Sequence, residues 1–180
     1  MVDFSLSNEQ KALRNNARAF AQNVLAGAPK LYAHLPDQRS RFEATLPIYQ
    51  AAVQAGLIKG QVPIPLGGGA SSLVDAAILV EEFYAVEPSA SLTILGTGLG
   101  LTPLILAGSN ELREKYLAPF LKQEGQPIAS FVHSEPTGTA NWLEKGGKGL
   151  QTTAYKDGDE WVVDGEKVSS YSSISPFDKF

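Results

Sequence analysis

The residues best suited to chemistry fall in one run, His133-Ser134-Glu135-Pro136-Thr137-Gly138-Thr139-Ala140-Asn141. It follows an apolar, β-rich stretch at 128–133, so it reads as a strand leaving into a loop of small hydroxyl residues. Backbone amides and hydroxyls on such a loop suit the carbonyl and imide edge of a planar heterocycle. An ordinary strand-end turn would look the same, and the local chemistry by itself favours that plainer reading. Other chemically capable groups carry less. Glu81 and Glu82 are adjacent on a helix, point in different directions and make a poor pair for acid–base work, so they read as a solvated face. Gly96-Thr97-Gly98-Leu99-Gly100 imitates a dinucleotide-binding loop, but Leu101 stands where the last glycine should be and no strand–helix alternation surrounds it. Close packing of a helix against small residues explains that run better. Gly67-Gly68-Gly69 reads as a turn rather than a phosphate cradle, and His34, in a polar connection, receives no role.

Composition removes several classes of function. With no cysteine and two histidines, the 180 residues offer no disulfide framework, no thiolate and little to build a metal site, so no metal is expected. A net charge of -4 gives no basic footprint for nucleic acid or an anionic membrane, and neither is expected as a partner. The start Met1-Val2-Asp3-Phe4-Ser5 lacks the basic and apolar regions of a secretory signal, so an intracellular, cytoplasmic protein is expected. The uncharged stretch 91–108 approaches the length of a membrane span. Its glycines, threonines and Pro103, and the lack of basic flanks, predict a buried core helix instead.

The elements that must position the run follow from periodicity. Ser7-Asn8-Glu9-Gln10 has the form of a capping box, after which Leu13, Ala17, Phe20, Ala21 and Val24 make one apolar stripe that Gly27 and Pro29 should end. A short helix is expected from Pro47 to Gly56. Another starts near Ser72, with Leu73, Ala76, Ala77, Val80, Phe83 and Tyr84 facing inward. Ser109 caps a last helix whose contacts are Leu112, Tyr116, Phe120 and Leu121. Beyond Gly125 the pattern changes to short β-rich runs at 128–133, 151–155 and 161–163, with hairpin signals at Asp157-Gly158 and Asp164-Gly165. The fold class is therefore α+β: an all-α helical domain over residues 1–125, then an incomplete antiparallel β-domain over 126–167.

In order along the chain, several motifs resemble the acyl-CoA dehydrogenase superfamily. They are Gly56-Leu57, then Pro63-Ile64-Pro65-Leu66-Gly67-Gly68, Glu81-Glu82, Gly108-Ser109, Tyr116-Leu117-Ala118-Pro119-Phe120, and Ser134-Glu135-Pro136. The usual Thr-Glu-Pro and Gly-Ser-Asp of the flavin loop are replaced by Ser134-Glu135-Pro136 and Thr139-Ala140-Asn141, and the stretches around them are most similar to the nitroalkane oxidase branch. The resemblance implies an FAD-dependent oxidoreductase that takes a proton α to an electron-withdrawing group and passes electrons to the flavin. It places Phe131, Val132, His133, Ser134, Thr139, Ala140 and Asn141 at the flavin and Leu99 on a substrate-pocket wall. A small-molecule substrate and a homo-oligomer are the partners it implies for the full-length family. The family's catalytic acid belongs to a C-terminal helical bundle, and no residue here is assigned that role. After Gly165-Glu166-Lys167 the family pattern of an aromatic and then a hydroxyl residue is lost, Ser169 and Tyr171 standing at those positions. Residues 168–180 thus read as a divergent tail of the kind intron read-through would produce. The expectation for the 180-residue chain is an inactive N-terminal part of such an enzyme. The alternative is a non-catalytic interaction module pairing with a full-length relative.

Overall fold

The capping box at Ser7 closes as expected and begins the first helix. The Ser7 hydroxyl accepts from Gln10 N–H at 3.2 Å, the Gln10 side chain accepts from Ser7 N–H at 3.1 Å, and α1 runs Asn8–Asn23. The structure is a computed structural model that describes residues 5–136 and 145–168. Helix α1 stops before Gly27. Pro29 does not end it but sits in the first turn of a short helix, α2 (Ala28–Tyr32), where its missing N–H has no intrahelical bond to lose. Helix α3 (Gln38–Gln54) starts well before Pro47, because Asp37 accepts from Ser40 N–H at 2.9 Å and caps it there. Pro47 is carried inside the helix, beside the buried Thr45, Ile48 and Tyr49, whose burial offsets the interruption.

Ser72, Glu87 and Ser109 cap α4 (Leu73–Tyr84), α5 (Pro88–Ala107) and α6 (Asn110–Leu117). Each of these three helices buries a different set of residues from the one its apolar positions suggest. On α4 the buried positions are Ile78, Glu82 and Phe83, while Leu73 is 89% exposed and Val80 and Tyr84 are also exposed. The cause is α1, whose Phe20 ring lies 5.6 Å from Phe83 and whose Arg18 grips Glu82 through two bonds of 2.7 and 2.8 Å. Glu82 is therefore a buried ion-pair member rather than part of a solvated face. Helix α5 buries one side, with Ile94, Thr97 and Leu101 inward, and leaves Leu92, Leu99 and Leu106 exposed at seven-residue spacing. By length and composition it is apolar enough to cross a membrane. On α6 only Leu117 is buried, whereas Leu112 and Tyr116 are exposed.

The chain then leaves helix for two strands, β1 (Thr153–Asp157) and β2 (Glu160–Asp164), paired antiparallel with Asp157 opposite Glu160. Gly158 takes the turn between them at φ 58°, as the Asp-Gly signal predicts. Residues 128–133, expected as a strand, join no ladder beyond an isolated bridge at Phe131. Gln151 and Thr152, expected to start β1, give their amides to the Glu135 side chain instead.

One buried joint ties the helices to this last segment. The Tyr49 hydroxyl of α3 donates to Pro127 C=O at 2.6 Å and lies 2.8 Å from the Thr97 hydroxyl of α5. With the phenol proton given to Pro127, the Thr97 hydroxyl is the donor to the Tyr49 oxygen. Burial pushes the Tyr49 phenol up to about 12, so it stays a donor throughout the physiological range. Substituting Tyr49→Phe leaves Pro127 C=O without this donor and Thr97 without this acceptor. It is expected to cost ~1–3 kcal/mol of unfolding free energy, measured by urea denaturation; a cost below a few tenths would remove the joint from this account.

Candidate functional site

The segment assigned to the flavin begins where the Tyr49 joint ends. Phe131 and His133, two apart, stack with ring centroids 5.3 Å apart and planes 11° from parallel, and Val132 between them is exposed. Carbonyls of the same segment are already used: His133 C=O accepts from Lys167 Nζ at 3.1 Å and Ser134 C=O accepts from Val168 N–H at 2.9 Å. The segment carries this flat ring pair, and its Ser134 hydroxyl and backbone amides are of the donor type that suits the carbonyl-bearing edge of a flavin. Thr139, Ala140 and Asn141 lie outside the described residues.

Glu135 organises the surroundings. It is 5% exposed and accepts from Lys167 Nζ at 2.8 Å, Gln151 N–H at 2.6 Å and Thr152 N–H at 3.0 Å. The Lys167 ammonium, followed by the two amides, holds its carboxyl down to about 2. Residues 133–135, 151–152 and 167–168 are thereby fastened together. Sequence reasoning quoted Glu135 within a motif and gave it no role, because its partners lie far along the chain and no local spacing announces them.

Leu99 is 44% exposed on α5, next to Gly100, the residue at which α5 meets the backbone of Ala129 and Ser130. The structure thus brings the helix bearing Leu99 against the segment that leads to Phe131. His34 and the Gly67-Gly68-Gly69 run join no part of this region; the latter folds a loop back so that Ala70 N–H reaches Val62 C=O at 2.9 Å. Two open cavities, of about 410 Å³ beside Leu66 and Arg113 and about 590 Å³ beside Lys115 and Pro127, include none of the assigned site residues. Among the described residues no group of three or more His, Asp or Glu could hold a metal ion.

Residues 7–124 match the family model for the acyl-CoA dehydrogenase N-terminal domain. The chain belongs to the acyl-CoA dehydrogenase family. It is 58% identical over 168 residues to nitroalkane oxidase of Fusarium oxysporum and 54% identical to that of Podospora anserina. Each match covers 93% of this chain but 38% and 39% of those relatives, so the chain spans about two-fifths of their length. A nitroalkane oxidase variant crystallised with 1-nitrohexane superposes with a TM-score of 0.85 at 58% identity, covering 92% of this chain and 39% of that one. An acyl-CoA dehydrogenase complexed with FAD, from Bacillus anthracis, gives 0.71 at 26% identity, covering 93% and 27%. These relatives are flavoproteins that take small molecules.

The Glu135 carboxyl sits below its ordinary 4.5, so the stability it contributes is complete above that pH and is lost as pH falls toward about 2. Amide resonances of Gln151 and Thr152 should titrate across that acid window. Glu135→Gln should abolish their titration and lower the unfolding midpoint at neutral pH. Resonances that stay flat in the native protein down to pH 2 would refute the assignment.

Proposed function

We propose that this chain supplies one wall and one extended segment of an FAD-dependent oxidoreductase site that removes a proton α to an electron-withdrawing group, with a nitroalkane as the leading substrate. The observation that carries the reading is the fastened segment Phe131–Ser134, which combines a stacked ring pair with hydroxyl and amide donors. Identity of 58% to nitroalkane oxidase supports the substrate class. Bound FAD would supply the electron-accepting chemistry. Phe131, Val132, His133 and Ser134 would hold its edge, Thr139, Ala140 and Asn141 complete the set by resemblance, and Leu99 would line the substrate.

Three buried carboxylates of the chain serve structure. Glu135 is paired to Lys167, Glu82 is paired to Arg18, and Glu87 caps α5 through Ser89 and Ala90 N–H while accepting from the Tyr32 hydroxyl. None of these three is free to take a substrate proton, so the chain alone binds and positions without performing the proton transfer. Purified protein titrated with FAD should show a perturbed flavin absorbance spectrum with weak affinity, and no peroxide release from 1-nitrohexane. A spectrum identical to free FAD at saturating protein overturns the flavin role, whereas turnover overturns the assignment of a non-catalytic part.

The exposed Leu73, Val80, Leu92 and Leu106 favour a second reading, an interaction module that seats the remaining portion of a full-length relative on α4 and α5. Co-expression with such a relative decides it: a stable complex supports the module, and separate elution removes it.

A further inference from the structure

We infer that Gln61 is a positioning residue for the candidate flavin segment, acting through Gly98 and Gly100 of α5; this rests on residues 131–134 being that segment. The Gln61 side chain donates from Nε2 to Leu57 C=O at 3.1 Å and to Ile94 C=O at 3.0 Å, and its Oε1 accepts from Gly98 N–H at 3.1 Å. Ile94 C=O and Gly98 N–H are the two groups that an undisturbed helix pairs with each other. A side-chain amide bracketing both ties this turn of α5 to the loop that carries Gln61. Only an uncharged amide suits the place, since it must donate to two carbonyls and accept from an N–H.

The ladder lacks a bond one turn later. Pro103 has no N–H to give Leu99 C=O, so Leu99 lies between the turn that Gln61 holds and a gap in the ladder. Glycine is demanded on both sides of it for reasons of contact. A Cβ at Gly98 would stand 2.3 Å from Gln61 Oε1, and a Cβ at Gly100 would stand 2.5 Å from the Ala129 carbonyl carbon and 2.6 Å from Ser130 N. The Gly96-to-Gly100 run is therefore neither a phosphate loop nor featureless packing. Four consecutive residues point to four tasks: Thr97 to the Tyr49 joint, Gly98 to Gln61, Leu99 to the open face, and Gly100 to the backbone just before Phe131. Losing the Gln61 amide would release this turn of α5, and with it the seating of Gly100 on the Ala129–Ser130 backbone that leads to Phe131–Ser134.

The test compares Gln61→Ala and Gln61→Glu with Phe83→Leu, a core substitution that weakens packing on the α1 side. In ¹⁵N-labelled full-length chain, both Gln61 variants should shift the amide resonances of Ala129–Ser134 and leave those of the β1–β2 hairpin in place, while Phe83→Leu leaves both sets in place. Gln61→Glu keeps the length of the side chain and stands in if Gln61→Ala fails to fold. Unmoved 129–134 resonances in the Gln61 variants overturn the inference, as do equal shifts in Phe83→Leu. Where the native chain binds FAD, Gln61→Glu should weaken it by about five- to tenfold, the scale of one lost hydrogen bond, and unchanged affinity overturns the inference too. A native chain that binds no FAD counts against the proposed function, and the resonances then decide the coupling by themselves.

Discussion

The buried hydroxyl pair of Tyr49 and Thr97 is the contact on which the rest of the arrangement depends, because it joins three parts of the chain at a single point. Helix α3 brings the phenol, α5 brings the threonine, and Pro127 begins the segment that leads to Phe131–Ser134. A hydrophobic contact could hold α3 to α5 with some slide, since burial of apolar area is not directional. Two short hydrogen bonds from one oxygen allow no slide. The phenol remains protonated because burial pushes it up to about 12, so the geometry does not change over the pH range in which a carboxylate or histidine would titrate.

Buried charge is used in the same way elsewhere. Glu82, Glu87 and Glu135 are each nearly inaccessible, and each is saturated: by Arg18, by helix amides with a tyrosine hydroxyl, and by Lys167 with two backbone amides. An unpaired buried carboxylate would be costly and would respond by raising its pKa, which is what a catalytic base often requires. Glu82 and Glu135 move the other way, below the ordinary range, under the nearby cations. Their chemistry is that of fasteners. The segment Phe131–Ser134 that Glu135 and Lys167 fasten carries a stacked aromatic pair and no carboxylate of its own.

Much of this was legible in the sequence where the signal is local. Ser7 with Gln10, Ser72, Ser109 and Asp157-Gly158 each state a cap or a turn within four residues, and each forms where its spacing says it should. The helices-then-strands order was likewise readable from the change of period after Gly125. Illegible were the features decided by distant partners. Pro47 argued for a helix start because nothing nearby reveals that Asp37 has already capped one. On α4, Leu73, Val80 and Tyr84 looked like a core stripe because apolar character marks a face without saying what covers it, and the buried stripe instead carries Glu82, which Arg18 neutralises. Glu135 and Lys167 are separated by the whole hairpin, and Gln61 sits in a proline- and glycine-rich connection where an amide side chain attracts no notice.

Helix α5 shows how composition misleads when a helix packs on one side only. Its apolar residues surround the axis, which predicts burial on all sides. One side does pack, through Ile94, Thr97 and Leu101, but Leu92, Leu99 and Leu106 stand open on the other. A helix that must be core on one side and wall on the other cannot be distinguished by hydropathy from one that is core throughout. What distinguishes it is the set of small and irregular residues between the two sides. Gly98 admits the Gln61 amide, Pro103 withholds a donor from Leu99, and Gly100 lets a second backbone touch the helix directly. In a uniformly buried helix each of these would be a weakness with no return. Here they turn the middle of α5 into a surface of fixed shape, with the Ala129–Ser130 backbone held against one face and Leu99 presented on the next.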